Sequence, residues 1–151
     1  MPQSEGPLDI LIVEDEAILV MDMEMIIEET GHRVVADAAS FDDVSDLAQP
    51  LNPDLAFVDL QLARGSSGIE VAKLIRNRWP ETTIVFVTAN PKQLPDDFCG
   101  AHGLIPKPFS RSGMVAALKY IVEGVRSPPP RIPRPGSLIV APHVAAKWTI
   151  A

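Results

Sequence analysis

Residues 10–16 read Ile-Leu-Ile-Val-Glu-Asp-Glu, and this stretch decides the fold. Its first four residues are apolar on both faces, as expected of a strand in the middle of a parallel sheet, because helices cover both sides of such a sheet. The apolar run then stops abruptly at three acidic side chains. Ligands of open α/β sheets bind beyond the carboxyl ends of the strands. The stretch therefore predicts a buried strand that leads directly into a polar site.

The rest of the chain, as far as residue 124, alternates between short apolar runs and longer segments of helical period, which is typical of a parallel sheet covered by helices. The sequence predicts five strands, at residues 8–13, 33–36, 55–58, 83–87 and 103–105. It predicts four helices, at residues 17–29, 42–48, 69–78 and 114–125. Between the last two strands, Pro91 and Pro95 leave room for only a short or irregular helical element. The pattern predicts an α/β domain.

Length and composition limit the classes of protein to consider. The chain has 151 residues, of which 46% are hydrophobic and 22% charged, as in an ordinary globular domain. This excludes a disordered chain and an assembly of several large domains. The single Cys99 cannot form an internal disulfide, and no apolar run approaches the length needed to span a bilayer. We therefore expect a cytoplasmic protein.

Charge and proline are unevenly distributed along the chain. Residues 1–125 carry all 20 acids and nine of the 13 bases, a net charge of −11, whereas residues 126–151 contain four bases and no acid. The acidic body repels phosphate backbones, which argues against nucleic-acid binding, and nothing indicates membrane binding. Five of the 15 prolines lie between residues 128 and 135. The segment 127–136 is therefore expected to be an extended linker.

The residues that follow this linker form a short tail. Residues 137–140 predict a strand and residues 144–148 are again apolar, but the piece is too small to fold alone. Three alternatives remain open: the tail packs on the body, pairs with the sheet edge of a partner, or stays mobile. Its positive charge and apolar residues 138–140 suggest docking on the acidic body. We divide the chain into an N-terminal segment (1–7), a main domain (8–126) and the linker with its tail (127–151).

Side chains capable of chemistry stand at the predicted strand ends. Glu14 and Asp15 follow the first strand, Asp59 the third, Thr88 the fourth and Lys107 the fifth. Three adjacent carboxylates raise one another's pKa unless a cation lies between them, and their hard oxygen atoms suit Mg²⁺. With Mg²⁺ bound, one carboxylate can attack a phosphorus atom. A lysine and a threonine would supply partners for the phosphoryl oxygens.

The motifs at these strand ends resemble those of the receiver domain of two-component response regulators. The first of these motifs is the stretch at residues 10–16. The other three are Pro-Asp-Leu-Ala-Phe-Val-Asp-Leu at 53–60, Val-Phe-Val-Thr-Ala at 85–89 and Ile-Pro-Lys-Pro-Phe at 105–109. Each motif alone is weak, but the four in this order are specific, and the resemblance covers about residues 8–126. It implies a doubly wound five-stranded parallel sheet of flavodoxin-like order 2-1-3-4-5, with helices on both faces.

The resemblance also implies a role for each site residue. Asp59 would be the phosphoacceptor, Thr88 would contact the phosphoryl group and Lys107 would pair with it. The Lys107-Pro108 bond becomes a candidate for a cis peptide. The resemblance implies that Mg²⁺ is held by Asp15, Asp59 and the backbone carbonyl of Gln61, with Glu14 acting through water.

The sequence departs from the usual receiver pattern near its fifth strand. Most receivers carry an aromatic residue three positions before the lysine, where it takes part in switching, and here that position is Leu104. The segment between Thr88 and Lys107 is also short. Together with Phe86-Val-Thr88, these traits resemble the alphaproteobacterial "FAT GUY" receivers, which often work with kinases of the HWE type, although Ala89 and Asn90 do not complete that motif.

These observations predict a signalling phosphoacceptor, not an enzyme. It would take phosphate from a sensor histidine kinase and lose it slowly by hydrolysis. Too few residues follow Arg126 for an output domain, so we expect output through a partner or a phosphotransfer protein, with residues 88–126 and the tail as interaction faces or as a homodimer contact. An aspartate-nucleophile phosphatase would need a second acid where Gln61 stands. An interaction module with a vestigial acidic pocket would fail to bind Mg²⁺.

Overall fold

A six-stranded sheet with helices on both faces forms the body of the computed structural model, which describes residues 6–148. Its strands are β1 (Asp9–Val13), β2 (Arg33–Ala38), β3 (Leu55–Val58), β4 (Thr83–Thr88), β5 (Gly103–Pro106) and β6 (Ile139–Val140). The order is β2-β1-β3-β4-β5-β6, with β1 to β5 parallel and β6 antiparallel to β5. The predicted α/β fold and the order of its five parallel strands are confirmed, and the sheet is corrected from five strands to six.

Two hydrophobic cores lie on opposite faces of this sheet. The helices are α1 (Ala17–Glu29), α2 (Phe41–Ser45), α3 (Gly68–Arg78), α4 (Arg111–Arg126) and α5 (Pro142–Trp148). One core contains the buried residues of α1, α4 and α5, and the other contains those of α2 and α3. Two 3-10 turns, Pro91–Gln93 and Phe98–Gly100, replace a full helix between β4 and β5, as the two prolines in that segment predict.

The ends of two helices differ from the sequence-based prediction, and each difference has a local cause. Helix α2 was predicted over residues 42–48 but ends at Ser45. The guanidinium of Arg78 donates hydrogen bonds to the backbone carbonyls of Val44, Ser45 and Leu47, so it satisfies carbonyls that a longer helix would use. Helix α4 begins at Arg111, three residues earlier than predicted, and the Ser110 hydroxyl caps it by accepting from the Gly113 N–H.

The tail packs on the body, which decides among the three alternatives left open by the sequence. After α4 the chain turns and runs back along it: the N–H groups of Arg131 and Ile132 donate to Glu123, and the Ser137 hydroxyl donates to the Gly113 carbonyl. Strand β6 then pairs with the edge of β5. The buried tail residues of the α1/α4 core are Leu138, Ala141, Val144 and Trp148.

Trp148 explains why the tail fits closely against α4. Its ring lies over Gly124, where an added Cβ would come within 2.5 Å of the indole, and it meets Tyr120 edge-on with ring centroids 5.8 Å apart. Burial of an aromatic ring of this size stabilises the docked tail by roughly 2 kcal/mol. The tail is therefore part of the folded body and covers the edge of β5.

Candidate functional site

The carboxyl edge of the sheet gathers the acidic residues that follow β1 and β3. Glu14, Asp15 and Asp59 each place a carboxylate oxygen within 4.8 Å of the others. Pairing of the strands sets this geometry, since the Asp59 N–H donates to the carbonyl of Val13 at the end of β1. Glu14 and Asp59 are only 4% and 7% exposed, whereas Asp15 is exposed. Two carboxylates are thus largely withdrawn from water and a third faces it.

Lys107 supplies the positive charge for this cluster. Its Nζ lies 2.8 Å from Glu14 Oε1, 3.0 Å from Asp59 Oδ2 and 3.7 Å from Glu16 Oε1. The backbone N–H of Lys107 donates to the carbonyl of Thr88, and the Lys107-Pro108 peptide bond is cis. The ammonium group therefore compensates the two buried carboxylates directly.

Burial and ion pairing shift the pKa of Glu14 in opposite directions, and the same is true of Lys107. Burial raises the pKa of Glu14, the hydrogen bond from Lys107 lowers it, and the charge of Asp59 raises it again, so the net direction is upward. Burial alone lowers the pKa of Lys107, but the bonds to Glu14 and Asp59 outweigh it, so its pKa is raised. Lys107 is accordingly charged at neutral pH, and its charge helps Glu14 to stay ionised.

Gly68, the first residue of α3, packs directly against the backbone of Asp59. The Gly68 N–H donates to the carbonyl of Leu60, and a Cβ added to Gly68 would lie 2.0 Å from the backbone oxygen of Asp59. Only glycine permits this approach of α3 to the end of β3. Sequence reasoning did not identify this role, because a single glycine between two serines and a helix is typical of a loop.

Two amide side chains close part of the mouth of the site. The cavity above Asp59 has a volume of about 330 Å³, and its walls include Asp15, Glu16, Gln61, Asn90 and Lys107. The Asn90 side-chain amide donates to the Gln61 side-chain oxygen at 3.2 Å. This bond joins the loops that follow β3 and β4 across the mouth. No local pattern predicts this bond, because the two residues are 29 positions apart.

The model of the response regulator receiver domain family matches residues 10–119. The chain belongs to this family. Its relatives include the phyllosphere-induced regulator PhyR of Methylorubrum extorquens, 33% identical over 112 residues, which are 73% of this chain and 42% of PhyR. They also include the transcriptional regulatory protein PdtaR of Mycobacterium tuberculosis, 30% identical over 80% of this chain and 59% of PdtaR. The receiver chain thus spans about half the length of these relatives.

Solved structures carry the same fold. The receiver domain of Erythrobacter litoralis PhyR is 29% identical, with a TM-score of 0.68 over 78% of this chain and 91% of that one. A LuxR-family response regulator from Aurantimonas is 25% identical, with a TM-score of 0.68 over 95% of this chain and 96% of that one. Within residues 6–148, no helix of the receiver is long and apolar enough to cross a membrane.

Two further residues singled out in the sequence, Thr88 and Leu104, lie outside the receiver's group of three carboxylates. Thr88 is 1% exposed, and its hydroxyl accepts from the Asn90 N–H at 3.0 Å. Leu104 is 3% exposed in β5, between Phe86 of β4 and Ile139 of β6. The position that most receivers fill with a mobile aromatic residue is therefore occupied by a core leucine.

The loop after Asp59 is tied to α2 by a residue that sequence reasoning missed. Arg64 adopts a left-handed backbone conformation (φ 57°), and its Nη2 donates to the Ser40 hydroxyl at 2.6 Å. The Ala63 N–H donates to the carbonyl of Ala39, and the Phe41 N–H donates to the Ser66 hydroxyl. These bonds fix the far side of the loop that carries Gln61.

The donor set of the acidic cluster suits a hard divalent cation. Three carboxylates converge, and no histidine or cysteine belongs to the group. Oxygen-only ligation with space for water is what Mg²⁺ prefers, whereas zinc favours nitrogen and sulfur. The residues present therefore fit the magnesium site that the family implies.

Proposed function

We propose that this receiver is the phosphoacceptor of a cytoplasmic two-component system, in which Asp59 takes a phosphoryl group from a phosphohistidine of a sensor histidine kinase. The observation that carries this proposal is the ammonium group of Lys107, held 3.0 Å from Asp59 and 2.8 Å from Glu14 within a cluster of three carboxylates. A nucleophilic carboxylate beside a positive charge and a magnesium donor set is the arrangement that phosphoryl transfer requires.

The transfer step follows from these groups. A carboxylate oxygen of Asp59 attacks the phosphorus atom, the bond from phosphorus to the histidine nitrogen breaks, and its electron pair returns to the imidazole, which takes a proton from solvent. Asp15, Asp59 and the Gln61 carbonyl would hold Mg²⁺, with Glu14 acting through water. Bound Mg²⁺ supplies positive charge that neutralises the incoming phosphoryl oxygens.

The remaining residues act on the phosphorylated state. Lys107 transfers its ion pair from the Asp59 carboxylate to a phosphoryl oxygen, and the Thr88 hydroxyl, which accepts from the Asn90 N–H, donates its own hydrogen to another phosphoryl oxygen. Hydrolysis reverses the modification: water attacks phosphorus, the bond from phosphorus to the Asp59 oxygen breaks, and inorganic phosphate and the free carboxylate result. The chain thereby acts as a signalling switch and not as an enzyme with a separate substrate.

An exposed apolar stripe on α1 offers the kinase a docking face beside the site. Ile18, Met21 and Met25 are 77%, 64% and 55% exposed, while Met23 is buried. Leu19 and Asp22 of the same helix line a cavity that also contacts Lys107. The spacing of Ile18, Met21 and Met25 puts these three exposed residues on one side of α1. A kinase helix that packs there brings its phosphohistidine to the mouth above Asp59.

Output is proposed to pass through a protein partner or a phosphotransfer protein. Contacts with a partner or a second copy through residues 88–126 and the tail stay a prediction. The structure restricts the homodimer in one respect. The edge of β5 is already paired with β6, so a homodimer cannot use that edge unless the tail is displaced.

Intact mass spectrometry after incubation with acetyl phosphate and Mg²⁺ tests the proposal. We expect one phosphoryl adduct on the native chain and on the control Asp96→Asn, whose carboxylate is exposed and does not belong to the cluster. We expect none on Asp59→Asn or with a chelator. Absence of an adduct on a chain that binds no Mg²⁺ would support the phosphorylation-independent interaction module. Release of many phosphates per chain would support the phosphatase.

A further inference from the structure

The Pro-rich segment that runs back along α4, residues 128–135, separates two grooves, and we call it the strap. Three contacts hold it on the body: Glu123 accepts the N–H groups of Arg131 and Ile132, and Ile132 packs against the α1/α4 core. Proline restricts the backbone of this segment even before it docks. The walls of both grooves are therefore largely preformed, which lowers the conformational entropy that the protein itself loses when a ligand binds.

The first groove lies between the strap, β6 and α5. Its volume is about 680 Å³, and its apolar walls include Tyr120, Val140 and Trp148. Ile139 lies on its border and is 43% exposed, although most large apolar side chains of the chain are buried. Concave sites of this volume with aromatic walls are typical binding sites.

The second groove lies on the other side of the strap, along α4. Its volume is about 510 Å³, and its walls include Val115, Ala116, Ile132 and Pro133. Ile132 and Pro133 also line the first groove, so the two grooves share the strap as a common wall. Together they form one continuous surface, the strap surface, with apolar depressions on both sides.

The rim of the strap surface is basic. Arg131 and Arg134 line the first groove, and Arg111 and Lys119 line the second. Arg111 is bonded to Glu29, but within residues 6–148 no ion pair involves Arg131, Arg134 or Lys119. Arg134 donates one hydrogen bond to a neutral acceptor, the Leu138 carbonyl, at 2.7 Å, so its charge has no counterion. Glu123, the acid bonded to the strap, is occupied by two backbone N–H groups. Exposed guanidinium groups without a counterion are well suited to bind carboxylates.

This basic rim contrasts with the rest of the molecule. Residues 1–125 carry a net charge of −11, so a long-range attraction for polyanions is absent, and only a ligand that reaches the strap surface finds positive charge. Such a field disfavours nucleic acids and anionic lipid surfaces, which present extended negative charge to the whole body. It permits a short acidic segment whose apolar side chains enter the grooves.

We propose that the strap surface is a docking site for an acidic segment of a partner protein that carries apolar side chains between its carboxylates. The apolar side chains fill the groove beside Trp148 and Ile139, and the carboxylates pair with Arg131 and Arg134. None of these residues contributes to the Asp59 site, so failure of this proposal leaves the phosphoacceptor function untouched.

Fluorescence anisotropy with labelled octapeptides tests the proposal. The probe is a peptide of alternating glutamate and leucine, and the comparison probes are alternating lysine and leucine and an all-glutamate peptide. We expect the first to bind the native chain at least about tenfold more tightly than either comparison probe, because it alone supplies both charge and apolar area. Higher salt should weaken its binding.

Matched charge variants locate the binding. The double variant Arg131→Gln/Arg134→Gln should weaken binding about tenfold, since two exposed ion pairs are lost. The control Lys73→Gln/Lys92→Gln removes two exposed positive charges, one from α3 and one from the 3-10 turn after β4, and should leave affinity unchanged. Equal binding of the lysine probe, or full affinity of the arginine variant, would overturn the proposal. Binding of duplex DNA or anionic vesicles that depends on the same arginines would overturn the assignment to a peptide.

Discussion

Gly68 approaches Asp59 so closely that a Cβ on Gly68 would lie 2.0 Å from the backbone oxygen of Asp59. The first residue of α3 therefore determines the position of the residue proposed to accept the phosphoryl group. Gly68→Ala should displace the backbone at Asp59, lower the free energy of unfolding by about 2 kcal/mol and slow phosphorylation by acetyl phosphate. Urea denaturation and the rate of adduct formation measure the two effects.

Gly136→Ala is the matched control for this prediction, because nothing lies within 4 Å of a Cβ added there. It should change the free energy of unfolding by less than about 0.5 kcal/mol. If Gly68→Ala were as stable and as reactive as this control, the close approach would have no functional importance.

Binding of Mg²⁺ should stabilise the fold through the three carboxylates. At a concentration ten times its dissociation constant, Mg²⁺ should raise the free energy of unfolding by about 1.4 kcal/mol. Asp15→Asn should lose this increment and, without metal, should be at least as stable as the native chain, because one of three like charges is gone. Thermal unfolding with and without Mg²⁺ checks this, with Asp96→Asn as control. If Mg²⁺ stabilised Asp15→Asn as much as the native chain, Asp15 would not be a Mg²⁺ ligand.

The bond between Asn90 and Gln61 should prolong the life of the phosphorylated state. Asn90→Ala removes the amide that bridges the mouth at 3.2 Å, so water reaches the phosphoryl group more easily and hydrolysis should quicken, by about threefold. Decay of the phosphoryl adduct measured by intact mass checks this. Gln93→Ala alters an exposed residue of the same segment and should have no effect. A longer lifetime in Asn90→Ala would show that the bridge favours hydrolysis.

His102 should make stability depend on pH below neutrality. Burial, followed by electrostatic repulsion from His143, Lys147 and Arg76, lowers the pKa of His102 to about 4. The unfolded chain, with a pKa of about 6.5, binds this proton more readily, so stability is complete above pH 6.5 and is lost as the pH falls towards 4, by up to about 3 kcal/mol.

His102→Asn retains an acceptor for the Ile84 N–H, which bonds to His102 Nδ1 at 3.1 Å, but cannot take up a proton. Its stability should fall less between pH 7 and pH 4.5 than that of the native chain, as measured by urea denaturation at each pH. Identical pH profiles for the two proteins would contradict the burial of a neutral His102.

The strand ends, and with them the main site residues, could be predicted from sequence because hydrophobic runs determine where buried strands stop. Asp59 follows the apolar run of β3, and Lys107 follows that of β5. Parallel strands align their carboxyl ends, so these residues must meet at one edge. The same reasoning failed for α2, whose carbonyls are taken by Arg78 from a distant helix.

Docking of the tail could not be decided from sequence, because it depends on contacts between distant residues. Trp148 fits against α4 only because residue 124 has no side chain. The Gly68 contact and the Gln61–Asn90 bond have the same character, since no periodic pattern links the two partners. Local sequence thus predicts the positions of the site residues along the chain. The contacts that hold these residues in place depend on long-range packing, which local sequence does not predict.

The position of the phosphoryl group on the chain tests the proposed role of Asp59. After incubation with acetyl phosphate and Mg²⁺, reduction with borohydride converts an aspartyl phosphate to homoserine, which tandem mass spectrometry of the peptides locates. We expect homoserine at position 59 alone. Homoserine at another aspartate of the native chain, with Asp59 intact, would contradict it.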